Sequence, residues 1–101
     1  SNFTVAVGHQ AGMAITSGDG NVILGSYAGL TTTDVDNAVL IGRSAGQSGN
    51  MTSAADGTIA IGYQAMKVHT TGARNIAIGY NAMSDTDAGS TSLGSGVIIF
   101  L

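Results

Sequence analysis

The chain has 101 residues, of which 9% are charged, with a net charge of -3 at neutral pH, no cysteine and no proline. A single small domain fits that length, and the sparse, slightly acidic charge leaves no basic stripe to hold a phosphate backbone, so nucleic acid is not an expected partner. The missing cysteines remove disulfides and thiolate metal sites, and no apolar run reaches the roughly 18 residues of a membrane span, which argues against membrane insertion.

The first element is Phe3-Thr4-Val5-Ala6-Val7, running into Gly8-His9-Gln10-Ala11. The same pattern returns as Val22-Ile23-Leu24-Gly25-Ser26-Tyr27-Ala28, Val39-Leu40-Ile41-Gly42-Arg43-Ser44-Ala45, Ile59-Ala60-Ile61-Gly62-Tyr63-Gln64-Ala65 and Ile76-Ala77-Ile78-Gly79-Tyr80-Asn81-Ala82. The motif glycines stand at 8, 25, 42, 62 and 79, so the steps are 17, 17, 20 and 17 residues. A fixed period identifies one supersecondary unit stacked on itself, which buries its apolar face only against the unit above and the unit below. The extra residues of the long step fall in the polar stretch 47–56, where a surface loop lengthens at little entropic cost.

Aligned on their glycine, the copies form columns. Three positions before it stand Val5, Val22, Val39, Ile59 and Ile76, and one position before it stand Val7, Leu24, Ile41, Ile61 and Ile78. Their spacing of two and their β-branched character predict a strand, with these columns as its buried face. The column between them, Ala6, Ile23, Leu40, Ala60 and Ala77, is expected on the opposite face, approached closely by a neighbouring subunit around an axis. Gly8, Gly25, Gly42, Gly62 and Gly79 read as positions of positive φ or close backbone approach at a bend. Ala11, Ala28, Ala45, Ala65 and Ala82 follow three residues later, at a corner with room for one methyl group.

The connectors are rich in Thr, Ser, Gly and Asp and predict turns around a second, short Thr-rich strand. The expected fold is therefore all-β: a parallel β-roll or β-solenoid of about five two-stranded coils. It forms one repeat domain over residues 1–101, with units at 3–20, 21–36, 37–56, 57–73 and 74–92. Tyr63 and Tyr80 share a column and predict a short aromatic ladder, with a ligand-stacking platform as the alternative.

The last element is Val97-Ile98-Ile99-Phe100-Leu101, an apolar strand-forming run. Together with Phe3, Val5 and Val7 it leaves strands at both ends of the array. Each is a template for another chain unless Phe100 and Leu101 act as a plug.

The chemistry of a site is sparse. The acids Asp19, Asp34, Asp36, Asp56, Asp85 and Asp87 all lie in connectors, and no glutamate is present to complete a calcium loop, so turn aspartates are expected and no metal. His9 and His69 read as exposed or edge residues. No nucleophile elbow and no Ser, His and Asp set share a repeat phase, so the expected protein is not an enzyme and holds no cofactor. Asn2-Phe3-Thr4 and Asn50-Met51-Thr52 match the N-glycosylation pattern, which matters only in a secreting eukaryote.

The stretch Asn75-Ile76-Ala77-Ile78-Gly79-Tyr80-Asn81-Ala82-Met83, preceded by Thr70-Thr71-Gly72-Ala73-Arg74, resembles the repeat of phage tail-fibre proteins and, more distantly, of trimeric autotransporter adhesin heads. The first three copies depart from it with Gly12, Gly29 and Gly46 where a large apolar residue is usual. The resemblance implies a parallel β-roll, commonly a homotrimer, on an extracellular, cell or virion surface, while the strands at the two ends of the array offer a head-to-tail filament of this chain instead. Its expected role is structural, in display or attachment, with a host-surface glycan or protein as further partner; the alternative is a glycan- or surface-binding module whose flat Thr-rich face recognises the ligand.

Overall fold

In a computed structural model of the chain, residues 3–84 and the backbone of Ile98–Phe100 are described. Val97, Leu101, Asp85 and Asp87 lie outside the described residues, as does the C-terminal part of the fifth unit.

Each of the five repeats contributes one three-residue strand, β1 Val5–Val7, β2 Val22–Leu24, β3 Val39–Ile41, β4 Ile59–Ile61 and β5 Ile76–Ile78, and the C-terminal run adds β6 Ile98–Phe100. They form one sheet in chain order, every neighbour parallel. The register joins equivalent residues, Val5 to Val22 to Val39 to Ile59 to Ile76 to Ile98. The longer step between β3 and β4 does not disturb it. The extra chain is taken up by the 3-10 turn Ser53–Ala55 and by Met51, which turns into the core. Parallel strands one repeat apart, with no α-helical crossover among the described residues, make the fold an all-β solenoid.

The structure reverses the two faces expected of the strand. The central column points inward, where Ile23, Leu40, Ala60 and Ala77 are fully buried, and the flanking β-branched columns point outward and are half-buried. A strand of three residues alternates out, in, out, so only one side chain per coil enters the interior. The interior is narrow, because the corner alanines Ala28, Ala45, Ala65 and Ala82 are also fully buried against it. The β-branched residues reported the extended backbone correctly but not its inner side.

Two physical constraints meet at the motif glycine. Its φ lies between +123° and +139° in all five copies, a region closed to L side chains. Successive glycines also touch: a Cβ on Gly8 would lie 2.7 Å from the carbonyl carbon of Gly25. Two positions on, Gln10, Tyr27, Ser44, Gln64 and Asn81 all adopt left-handed φ of 57° to 64°, so the bend repeats even where no glycine is present. The ladder is continuous through the corner. Gly25, Gly42, Gly62 and Gly79 each donate a 2.8 Å hydrogen bond to the carbonyl just before the preceding motif glycine. The amides of Tyr27, Ser44, Gln64 and Asn81 each donate to the coil before at 2.8–3.0 Å.

The Thr-rich side carries no strand among the described residues. It is held coil to coil by mixed bonds instead. Thr16 N–H donates to the Thr33 carbonyl at 3.0 Å, and the Thr33 hydroxyl donates to Asn50 Oδ1 at 2.9 Å. Side chains that bond the next coil compete with a regular backbone ladder, so this wall is irregular where the strand wall is not.

Candidate functional site: an outward apolar sheet face

The outward columns place two rows of aliphatic side chains on the solvent face of the sheet. Val5 and Val7 are 53% and 61% exposed, and the equivalent residues of β2 to β5 are half-buried. From β1 to β5 the rows run through four strand spacings of about 4.8 Å each. The registers carry Ile98 and Phe100 onto the same two rows by backbone position. A parallel sheet is ordinarily covered on both faces. Here the inner face is covered by the chain's own core, and no described residue covers the outer face, which leaves an apolar surface of the kind found at interaction sites.

Beside this face, one position past the motif glycine, runs a column of His9, Ser26, Arg43, Tyr63 and Tyr80. The Tyr63 and Tyr80 rings stack with centroids 5.2 Å apart and planes 28° from parallel, and the Arg43 guanidinium lies 6.0 Å from the Tyr63 centroid. The tyrosines form the expected ladder. The two facing ring surfaces are closed to a ligand, while Tyr80 is 70% exposed. His9 packs edge-on against Tyr27 at 5.4 Å.

The polar residues mostly stitch coils together. Asn21, buried between coils, donates from Nδ2 to the Val35 carbonyl at 2.7 Å and accepts from Ala38 N–H at 2.8 Å. Asp36 accepts from Asp19 N–H and Asp56 from Asp36 N–H, both at 2.8 Å, while the residues after them, Gly20, Asn37 and Gly57, turn through positive φ. Ser17 donates to Asp34. These are turn aspartates holding backbone amides. Among the described residues no group of histidine or carboxylate side chains could hold a metal ion, and no pocket is formed. No helix among them is long and apolar enough to cross a membrane.

His69 departs from the sequence reading: it is fully buried, not exposed or at an edge. Its backbone N–H donates to Met66 O at 3.1 Å, and Nε2 donates to the Gly72 carbonyl at 3.0 Å, which requires the proton on Nε2. Gly49, one coil earlier, leaves room, since a Cβ there would meet the His69 carbonyl. The signal was available in the repeat phase. His69 stands seven residues after its motif glycine, as Ile15 and Thr32 do, and Thr32 is also fully buried.

The expected repeat residues Gly8, Gly25, Gly42, Gly62, Gly79 and Ala11, Ala28, Ala45, Ala65, Ala82 lie at the bend and in the core, Ala11 being only partly buried in the first coil. Of the expected end residues, Phe3 is 89% exposed and Val5 and Val7 lie on the outer edge strand; Ile98, Ile99 and Phe100 form the opposite edge by backbone. The chain matches no protein-family model, no curated protein and no solved structure.

Proposed function

We propose that this protein is a structural, non-catalytic segment of a surface fibre, built from copies of itself and serving display or attachment outside the cell or on a virion. One observation carries the reading. The outward face of a wholly parallel sheet is a continuous double row of Val, Leu and Ile that no described residue covers. The occupant that fits is a second copy of the same face, because long aliphatic rows at one strand spacing interdigitate with rows of the same spacing. Three copies around an axis parallel to the stack would bring three such faces together, the arrangement the resemblance implies. The test is hydrodynamic mass together with electron microscopy of the purified chain. Trimers or elongated assemblies are the expected result, and a compact monomer at high concentration overturns the reading.

A second assembly mode rests on the sheet edges. β1 and β6 are the two outer strands of an in-register parallel array, and the outer edge of each is a strand template. Head-to-tail addition would continue the same register from β6 to the next copy's β1. Filaments whose length responds to a change at Ala6 in the β1 edge but not to changes at the outer-face residues Ile41 and Ile61 would identify this mode.

A further inference from the structure

Tyr63 and Tyr80 are the one pair among the described residues in which two oxidisable phenols meet. The Asn81 N–H to Tyr63 carbonyl bond, 2.8 Å long, fixes the spacing of the two coils immediately beside the rings. The centroids lie 5.2 Å apart at 28°, Tyr80 is 70% exposed, and Tyr63 is half-buried behind it. Tyr27, the remaining tyrosine, has His9 rather than a tyrosine as its ring partner. We propose that Tyr63 and Tyr80 form an oxidative crosslinking site, converted to a dityrosine bond by a one-electron oxidant of the haem peroxidase and hydrogen peroxide class.

The balance is simple. Each phenol gives up one electron and its hydroxyl proton, producing two phenoxyl radicals. Their ring carbons ortho to oxygen join in one new C–C bond, and the two ring hydrogens at those carbons move to the oxygens. The peroxide is reduced to two waters. Exposed Tyr80 is the entry point, and Tyr63 is the nearest radical acceptor because the stack already holds the rings together. The chain has no cysteine to compete for the oxidant, although Met13 is 65% exposed and is the expected side reaction. The bond would join the fourth coil to the fifth across a short loop, restricting the unfolded chain much as a disulfide does. This inference does not depend on the fibre reading, since both rings belong to one chain.

The experiment treats the full chain with horseradish-type peroxidase and hydrogen peroxide, isolates the single-chain band, and digests it with trypsin. Cleavage after Arg43, Lys67 and Arg74 places Tyr63 in residues 44–67 and Tyr80 in residues 75–101. The expected result is dityrosine fluorescence in the single-chain band, with those two peptides joined and short of two hydrogens. The same band should melt at a higher temperature than untreated protein. Tyr63→Phe and Tyr80→Phe, which keep the rings, should each abolish the joined peptides, and Tyr27→Phe should leave them unchanged. Dityrosine found only between chains, joined peptides containing Tyr27, or Tyr80 oxidised without coupling would each overturn the proposal.

Discussion

Met51 occupies the place that a side chain at Gly46 would need: a Cβ on Gly46 would lie 2.8 Å from Met51 Cε. The same trade recurs up the stack. At Gly29 a Cβ would lie 3.0 Å from Leu40 Cδ1, and at Gly12 it would lie 3.1 Å from Ile23 Cδ1. In the fourth and fifth coils the strand centre is Ala60 or Ala77, and the corner carries buried Met66 or Met83 in the same core. Volume lost at one position is returned at the other. The methionines take left-handed φ of 50° and 54° to do so. Burial of a methionine contributes about 1.5–3 kcal/mol, against roughly 1–2 kcal/mol for a left-handed L residue, so packing wins.

That relationship predicts a coupled pair. Gly46→Ala should destabilise by about 1–2 kcal/mol, mainly through its φ of +61°, with Met51 displaced at the mobile end of its side chain. Met51→Ala should cost about 2–5 kcal/mol by cavity formation. The double variant should be less destabilised than the sum by about 1 kcal/mol or more, as read by denaturant titration. Strict additivity would show that the two groups do not compete for one space.

Neighbouring residues on one strand should behave oppositely. Leu40 is fully buried in the core, whereas Ile41 faces out and is half-buried. Leu40→Asp places an unpaired carboxylate in an apolar interior and should abolish folding. Ile41→Asp should leave the circular dichroism of the solenoid in place while lowering the assembled mass. Unfolding of both variants to the same degree would contradict the assignment of faces.

Asn21 is predicted to matter more than any exposed polar residue. Asn21→Ala leaves the Val35 carbonyl and the Ala38 N–H unpaired in the interior, at a cost of about 2–3 kcal/mol. Asn21→Asp should be worse, since it loses the donor to Val35 and buries a charge. Thermal melting of the two variants checks the order, and equal stability of Asn21→Asp and wild type would refute it.

The aspartate column carries like charges from coil to coil. Asp36→Ala removes the acceptor for Asp19 N–H and should cost about 1–2 kcal/mol. Asp36→Asn keeps an acceptor oxygen and removes one negative charge, so it should be near neutral at low salt. Added salt should stabilise the wild type more than Asp36→Asn, because screening relieves the repulsion among Asp19, Asp36 and Asp56. A melting temperature of the wild type that falls with added salt would count against that repulsion.

Repeat number, strand position, register and the glycine bend were legible in the sequence because each depends on local backbone preference repeated in phase. Positive φ leaves its mark as five glycines, and an extended backbone as pairs of β-branched residues around one centre. Which side of the strand faces inward was not legible. Both faces are apolar, and the choice depends on how near the opposite wall lies, a distance set by turns far along the chain. The burial of His69 and the exchange of volume between Gly46 and Met51 belong to the same class. Only the closed coil brings those side chains together, so tertiary structure decided which apolar column became core and which was left on the outer face.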